Sequence, residues 1–368
     1  MADRRSPARL RAARLAAHGL AGAGLPSITA AVERLGAVQA QDLGAAKWVV
    51  GARVPGSVEA DVDAAIEQRE IVRSWPFRGT LHLMPAALLR PVLALTAARQ
   101  IQRDATRRRE LGLDDETGRS ARAIAERKLS GGPRSREELQ AAWEAAGIAT
   151  AGQRGYHLLW WLALDGVVCL GPVDGRQQRF VLLDEWLPGP REVADRDAIL
   201  AELVTRYFRG HGPATEKDAA WWTGLPLGDI RAGIAAAGDA LTAYDEIRTV
   251  AADSGWPADP ASTAPRATGR LALGGFDEYF LGYADRSVVC PPEHAGRVVP
   301  GGNGIFRAIL VDAGRVVGVW QRKDAARGAT VTVEPFDDAA DPAAFRGALE
   351  RWARFRGVPL HDVVLAAG

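Results

Sequence analysis

The chain has 368 residues, of which 47% are apolar and 25% charged, so it can bury a large core and is long enough for two or three domains. Its 46 basic and 45 acidic residues give a formal charge of +1, so a nucleic-acid surface would have to arise from uneven placement of charge. The two cysteines, Cys169 and Cys290, lie in no metal-ligand pattern, and no stretch of about 18 apolar residues occurs, which argues against a structural zinc ion, a disulfide framework and a membrane span.

The first part of the chain carries the pattern of a winged helix. Residues 7–18 and 27–35 have apolar side chains at helical spacing, and Asp42 is a plausible cap for a further helix. Two short segments, REIVRSW and RGTLHLM, then predict a hairpin. The order helix, helix, helix, strand, strand is typical of a winged helix, which we place at residues 1–112.

The same order returns after a long polar helix predicted at about 86–110. Ser135 and Glu138 form a capping-box pattern before an amphipathic helix, and a second hairpin is predicted across Asp174-Gly175. We therefore assign a second winged helix to residues 113–192.

A third set of short helices starts at Asp197, includes a cap pattern at Thr215, and leads into a strand-like segment, which predicts a third winged helix at residues 193–254. A linker rich in proline and serine follows, and then strand patterns and one more helix predict a small, barrel-like, β-rich unit at 255–368 with that helix closing the chain. The expected fold class is α+β, mainly α, with three tandem winged-helix units and a C-terminal β-rich unit.

Residues 38–42, with the sequence VQAQD, lie between a predicted helix stop at Gly36 and the predicted cap, so we expect a short extended link. In an extended chain, residues two apart point the same way, so Gln39 and Gln41 would present two amides to one spot. The alternative is that both glutamines are solvated turn residues.

The two predicted hairpins supply candidate DNA-binding residues. Trp75, Arg78 and His82 lie close together in RSWPFRGTLHLMP, and such a mixture of rings and cations suits a nucleic-acid groove. A core strand with a hydrogen-bonded His82 would explain the same pattern. Arg176 and Arg179 lie in the second hairpin, where we expect winged-helix elements to hold DNA phosphates.

The segment FDEYFLGYADRS carries several charged residues. We expect Asp277 and Glu278 to fix a domain junction through ion pairs and caps, although paired carboxylates can also do acid–base work. Asp285 and Arg286 are candidates for the DNA-facing surface.

A loop rich in proline and glycine follows this segment, and its candidate residues are His294, Arg297 and Asn303. A loop tip of this kind could enter a minor groove, where arginine and small residues fit. The alternative is an ordinary connection within a β unit.

Motifs in a fixed order between about residue 30 and residue 325 resemble the winged-helix DNA glycosylases typified by AlkZ and YcaQ: VQAQD, RGTLHLM, GPATEKDAAWWTGL, FDEYFLGYADR, VVPGGNGIFRAIL and GRVVGVWQR. This resemblance implies tandem winged helices that form a concave scaffold, and excision of N-alkylated purines, including bases in interstrand crosslinks. The AlkZ-like branch carries a catalytic Q-x-Q motif, which Gln39 and Gln41 match, so the resemblance implies that these two residues are catalytic.

We therefore expect a monofunctional DNA glycosylase without cofactor or metal, acting as a monomer on duplex DNA with bulky N7-alkylated purines, in the bacterial cytoplasm at the nucleoid. Such bases are already cationic leaving groups, so two neutral amides need only place water near the sugar. The resemblance also permits self-resistance to a genotoxic natural product. Two alternatives remain: a non-enzymatic winged-helix transcriptional regulator, which would not need Gln39 and Gln41, and a drug-sequestering resistance protein.

The chain has few amines that could form a Schiff base with an abasic site. Lysine occurs only four times, and Lys47 follows Gln41 by six residues on a predicted helix. We expect Lys47 to be a solvated or phosphate-binding side chain.

Overall fold

The computed structural model describes residues 6–175, 177–189, 195–254, 269–302, 304–325, 328–337 and 341–366. Contacts divide the chain into two compact units, unit 1 with Met1–Val62 and Leu200–Gly368, and unit 2 with Asp63–Ile199. The boundaries predicted for the three winged-helix units depend on the order of helices and strands, whereas the two compact units depend on contacts. The winged-helix boundaries therefore stay predictions. Within the described ranges, no helix is long and apolar enough to cross a membrane.

The N-terminal segment is mainly helical. Its elements are α1 (Pro7–Ala17), α2 (Ile28–Leu35), β1 (Val38–Gln39), α3 (Leu43–Gly51) and α4 (Glu59–Glu67). Helix α2 ends at Gly36, whose φ of +76° lies in a region that glycine adopts without strain. Helix α3 begins at Asp42, whose Oδ1 accepts a hydrogen bond from Ala45 N at 3.0 Å. The predicted stop and the predicted cap are both confirmed.

Unit 2 combines helices with an antiparallel sheet. Its elements are β2 (Ile71–Phe77), β3 (Thr80–Pro85), α5 (Leu89–Arg103), α6 (Ala105–Glu110), α7 (Asp115–Leu129), α8 (Arg136–Ala145), α9 (Arg154–Leu164), β4 (Val168–Asp174), β5 (Gln177–Leu182) and α10 (Leu183–Trp186). Within the described part of unit 2 the strand order is β3-β2-β4-β5, so both predicted hairpins are present and join through β2 and β4. Helix α8 begins with the predicted capping box of Ser135 and Glu138.

Residues 86–110 do not form the single helix that their pattern predicted. A 3₁₀ turn at Ala86–Leu88 precedes α5, and Asp104, at φ −87° and ψ 0°, separates α5 from α6. Aspartate competes with the helical backbone for hydrogen bonds, and the Asp104 carboxylate turns toward α9, where it lies 3.8 Å from His157 Nε2.

The C-terminal part of the chain returns to unit 1. Its elements are α11 (Arg196–His211), α12 (Glu216–Thr223), α13 (Leu227–Ala237), β6 (Leu241–Ala243), β7 (Thr249–Ala251), β8 (Arg270–Leu273), α14 (Glu278–Leu281), α15 (Pro292–Val298), β9 (Ala308–Asp312), β10 (Arg315–Ala325), β11 (Gly328–Pro335), α16 (Arg346–Arg356) and β12 (Leu360–Leu365). Short 3₁₀ turns lie at Gly238–Ala240, Pro300–Gly302 and Pro342–Phe345. Helix α12 begins with a capping box of Thr215 and Asp218, and the segment predicted to be strand-like forms two strands, β6 and β7, that pair with each other.

The C-terminal strands form a sheet of order β12-β11-β10-β9-β8, in which β11 and β12 are parallel and the other pairs antiparallel. Helix α16 packs against it, with the Trp352 and Trp320 rings in an edge contact at 5.2 Å. The sequence pattern predicts that this helix is the last element of the chain, and this prediction is wrong. Gly357, at φ +65°, ends α16, and the chain then returns as the strand β12. Strand β12 forms hydrogen bonds with the edge of β11.

A buried ion pair joins the N-terminal and C-terminal segments of unit 1. Arg53 NH1 and NH2 donate to the two carboxylate oxygens of Asp277 at 3.0 and 2.8 Å, and both side chains are 0% exposed. Asp277 also caps α14, because its Oδ1 accepts a hydrogen bond from Tyr279 N. The bidentate geometry satisfies two charges that would be costly to bury alone.

Replacing Asp277 by asparagine should lower the free energy of unfolding by about 3–5 kcal/mol, because it leaves the Arg53 cation buried without its anion. Urea denaturation followed by tryptophan fluorescence measures this loss. The matched control is Asp312→Asn, which breaks an exposed pair with Arg270 and should cost no more than about 1 kcal/mol. Equal losses in the two variants would contradict the importance of the buried pair.

Candidate active site

The Q-x-Q segment is the link between α2 and α3 that the sequence predicted. Gln39 is buried, with 6% of its surface exposed, whereas Gln41 is exposed. The main chain at both ends is fixed, since Gly36 ends one helix and Asp42 caps the next. The convergence of the two amides on one spot stays a prediction.

A buried carboxylate holds the backbone of this segment. Glu278 is 0% exposed, and its Oε1 accepts a hydrogen bond from Gln39 N at 2.9 Å. Its Oε2 accepts a hydrogen bond from the indole Nε1 of Trp222 at 2.9 Å. The motifs VQAQD, GPATEKDAAWWTGL and FDEYFLGYADR, which lie far apart in sequence, therefore meet at one carboxylate.

A chain of polar side chains continues behind Glu278. Arg53 NH2 lies 3.4 Å from Nδ1 of His18, and His18 Nε2 lies 2.9 Å from the hydroxyl of Tyr283. The Tyr283 hydroxyl donates to the carbonyl of His211 at 2.8 Å, so it accepts from His18 Nε2. His18 is therefore the neutral Nε2–H tautomer, and burial, followed by the positive charges around it, holds its pKa well below the ordinary value.

Asp218 connects α12 to the loop after α14. Its Oδ2 accepts hydrogen bonds from the backbone and hydroxyl of Thr215, and its Oδ1 accepts from Ala284 N at 3.0 Å and Asp285 N at 3.3 Å. The predicted capping residue thus also fixes the start of the ADR segment.

The hairpin residues predicted to bind DNA lie mostly inside unit 2. Trp75 is 1% exposed and its Nε1 donates to the Tyr156 hydroxyl, while His82 is 0% exposed with Nδ1 2.9 Å from the carbonyl of Thr80. Arg78, at φ +52°, lies 3.5 Å from His82 Nε2. These contacts favour the core-strand interpretation for Trp75 and His82, since neither ring is at the surface in this conformation.

The second hairpin presents Arg179, whose guanidinium pairs with Asp174 and with Glu138. A phosphate would have to compete with these two carboxylates. Arg176 lies outside the described residues.

The candidates from unit 1 differ in their surroundings. Asp285 is exposed, whereas Arg286 lies 4.8 to 5.4 Å from the ring centroids of Trp221, Phe280 and Phe306, and burial lowers its pKa. The structure therefore places Arg286 in an aromatic cluster.

His294 and Arg297, which were predicted to lie in a loop, lie on helix α15 and contact residues at the end of β11. His294 stacks on Phe336 at 4.7 Å, and Arg297 pairs with Glu334 at 3.0 Å and donates to the carbonyls of Pro335 and Phe336. These contacts favour a structural role for Arg297. Asn303 lies outside the described residues, and DNA binding by any of these residues stays a prediction.

Lys47 is not the solvated side chain that the sequence analysis expected. It is 5% exposed, and its Nζ lies 3.4 Å from Glu59 Oε1. Arg356 pairs with the same carboxylate at 2.8 Å. Helix α3 points Lys47 inward because its neighbours on the helix form the core of unit 1.

An open cavity of about 340 Å³ begins at Asp42, the residue after Gln41. Its aromatic lining includes Trp48, Phe276, Phe306 and Trp320. The indole N–H groups of Trp48 and Trp320 donate to the carbonyls of Ala272 and Leu273, so both rings are fixed and their donors are used. The lining therefore combines fixed aromatic surface with the charged side chains of Asp42, Arg322 and Arg356.

Sequence reasoning missed His18, Arg53 and His211, which surround Asp277 and Glu278. No local motif marks His18 or Arg53. The sequence signal for His211 was its position just before the capping box of α12, but only the fold brings it to Glu278.

Comparisons with known proteins identify the family of the chain. A family model described as "DNA glycosylase AlkZ-like" matches residues 32–355. An interstrand DNA cross-link repair glycosylase from Streptomyces sahachiroi is 30% identical over 333 residues, which cover 85% of this chain and 86% of that protein. The solved structure of the Streptomyces sahachiroi DNA glycosylase AlkZ is similar with a TM-score of 0.80 and 27% identity, over 98% of this chain and 99% of that one.

The family match spans most of the chain and includes the Q-x-Q segment, Glu278 and His211. The resemblance inferred from the sequence motifs is thereby confirmed. The chain belongs to the AlkZ-like DNA glycosylase family.

Proposed function

We propose that the chain is a monofunctional DNA glycosylase that hydrolyses the N-glycosidic bond of bulky, cationic N7-alkylated purines in duplex DNA, acting as a monomer in the cytoplasm. The observation that carries the proposal is the Q-x-Q segment, in which a buried carboxylate holds the main chain of Gln39 while Gln41 remains accessible beside it. Membership of a DNA glycosylase family supports base excision as the reaction.

The proposed chemistry needs no charged base at the reacting atoms. Alkylation at N7 makes the purine a good leaving group, and the bond breaks through a cationic state of the sugar. The side-chain oxygens of Gln39 and Gln41 can accept hydrogen bonds from a water molecule and place it near the anomeric carbon. Neutral amides cannot deprotonate water outright, so the site should act on activated lesions and spare normal bases.

The cavity beside Asp42 supports a preference for bulky lesions. Its volume of about 340 Å³ is far larger than the volume of a methyl group, and the aromatic rings in its lining suit a large apolar substituent. The similarity to an interstrand DNA cross-link repair glycosylase of Streptomyces sahachiroi supports the further proposal that this chain unhooks interstrand crosslinks. Self-resistance to a genotoxic natural product is a separate part of the proposal, which the motif resemblance permits.

The element order supports three winged-helix units as the DNA-binding framework. Helices α2, α3 and α4 precede the hairpin β2–β3, helices α7, α8 and α9 precede β4–β5, and helices α11, α12 and α13 precede β6–β7. Each hairpin is then a proposed wing that contacts DNA phosphates.

Gln39→Ala and Gln41→Ala should each lower the single-turnover release of N7-alkylguanine by about a hundredfold or more, because water is no longer placed at the sugar. The measurement is alkaline cleavage of abasic sites in a duplex with one defined adduct, with duplex affinity measured in parallel. Gln68→Ala, on an exposed residue of unit 2, is the matched control. Unchanged release in both active-segment variants would refute the assignment, and no release by the parent chain from small or bulky adducts would refute the proposed activity.

Borohydride should trap no covalent adduct with abasic DNA, because Lys47 is buried and ion-paired with Glu59. The expected product is an intact abasic site. A trapped adduct that persists in the exposed-residue variant Lys217→Ala but disappears in Lys47→Ala would show lyase activity and contradict the monofunctional assignment.

Ala45→Leu should lower the ratio of bulky-adduct release to N7-methylguanine release by about tenfold or more, since the larger side chain fills part of the cavity that Ala45 lines. Single-turnover rates on the two duplexes give the ratio. Ala64→Leu, an exposed helical position, is the control. An unchanged ratio in Ala45→Leu would argue that bulky substituents lie elsewhere.

A further inference from the structure

The carboxylate of Glu278 is a buried charge at the back of the candidate site. It is 0% exposed and receives the N–H groups of Gln39 and Trp222, one on each oxygen. Both of these donors are neutral, and burying a carboxylate is costly unless it is paired and hydrogen-bonded. The ring of His211, also 0% exposed, brings its Nε2 to 3.5 Å from Glu278 Oε2.

The hydrogen bonds of His211 constrain where its protons are. Its Nδ1 lies 3.2 Å from the carbonyl of Tyr207, and a carbonyl can only accept, so Nδ1 carries a proton. In the described structure Nε2 makes no hydrogen bond and faces the Glu278 carboxylate. Without a proton there, two lone pairs would face each other. With one, the ring is an imidazolium beside a carboxylate.

The charges buried in this part of unit 1 favour the imidazolium. The buried side chains near the ring that are ordinarily ionised are Arg14, Arg53, Asp218, Asp277 and Glu278, whereas the buried Lys47 pairs with Glu59. Arg53 pairs with Asp277, and the ring of His211 is the group that faces Glu278. His18 is held in its neutral tautomer by its hydrogen bonds, so of the two buried histidines in this part of unit 1 His211 is the one placed to carry a positive charge beside a carboxylate.

The fold holds the His211 ring against Glu278. The ring stacks on Tyr207 at 4.6 Å and 10°, an arrangement that also stabilises a cation over an aromatic face. On another side lies Gly282, where an added Cβ would come within 2.4 Å of His211 Cδ2. Only glycine permits this close approach, which accounts for the glycine in FDEYFLGY.

Several other titratable or charged groups surround the His211 ring. The groups that face the ring or contact its neighbours come from several elements: Arg14 on α1, His18 directly after α1, Arg53 after α3, Tyr207 on α11, Asp218 on α12, and Tyr279 and Tyr283 at α14. Burial raises the pKa of Tyr207, Tyr279 and Tyr283, so these hydroxyls stay neutral.

We infer that Glu278 is a positioning residue for Gln39, and that a protonated His211 holds the Glu278 carboxylate in the orientation that fixes the Gln39 main chain. This inference rests on the proposed function of the glutamines. Loss of the His211 proton turns an attractive contact into a repulsive one, so the carboxylate shifts and Gln39 loses its anchor. Base release should therefore fall when His211 or Glu278 is replaced by a residue that cannot make this contact.

The proton is tested directly, without any need for activity, by NMR of the full chain with ¹⁵N-labelled histidine. We expect one buried histidine with both ring nitrogens protonated at neutral pH, assigned by its absence in His211→Phe and by its contacts with the Tyr207 ring. Should that variant fail to fold, the ring contacts alone assign the signal. A His211 ring with one bare nitrogen at neutral pH would overturn the inference, whether or not the chain releases any base.

Kinetics test the consequence for Gln39. Single-turnover release should drop by about tenfold to a hundredfold in Glu278→Gln and in His211→Phe, since neither keeps the carboxylate and its cation together. Duplex affinity, measured in parallel, should stay at the parental value in both variants, because the lost contact affects the placement of Gln39 and not DNA binding. His361→Phe, an exposed histidine of β12, should keep the parental rate. Folded variants with parental rates would overturn the positioning role.

Discussion

Two adjacent buried carboxylates at the start of α14 organise unit 1. Asp277 holds Arg53 and caps the helix, while Glu278 accepts the backbone N–H of Gln39 and the indole N–H of Trp222. Each carboxylate reaches a segment more than two hundred residues away in sequence. Buried charges of this kind tolerate few arrangements, since each must keep its partners, and they therefore fix the main chain on which the glutamines lie.

In the proposed mechanism, this arrangement separates the residue that is anchored from the residue that is accessible within a short stretch of chain. Gln39 is enclosed by protein and anchored through its main chain, whereas Gln41 is exposed and directly precedes the residue at which the aromatic cavity begins. A neutral site that only places water gains most from such fixed geometry, because it has no strong acid or base to compensate for poor alignment.

Local patterns in the sequence predicted much of this framework. The stop at Gly36, the caps at Asp42 and Ser135, and the hairpins depend on neighbours within a few residues, and all are present. The patterns could not show that Asp104 would interrupt a helix or that β12 would pair with β11, because both depend on contacts between distant elements.

The candidate site shows the same limit. The spacing of Gln39 and Gln41 marked them as candidates, and ordered motifs indicated the family, but burial of Trp75 and Lys47 followed from tertiary packing that composition does not reveal. The partners of Glu278 could not be predicted from the sequence either. Its partners come from α12 and from the Q-x-Q link, and no periodicity relates these segments.

The order of the segments along the chain has a consequence for biosynthesis. Unit 2 is one continuous stretch, whereas unit 1 needs residues from both sides of it. During translation, Gln39 is synthesised long before Glu278 and His211. The contacts of the first segment of unit 1 therefore cannot form until the later segment has been synthesised. Contacts of such long sequence separation close slowly. A chain that is interrupted before α14 therefore contains Gln39 and Gln41 but lacks the Glu278 carboxylate that holds the main chain of Gln39. We expect fragments from stalled synthesis to have no glycosylase activity on DNA.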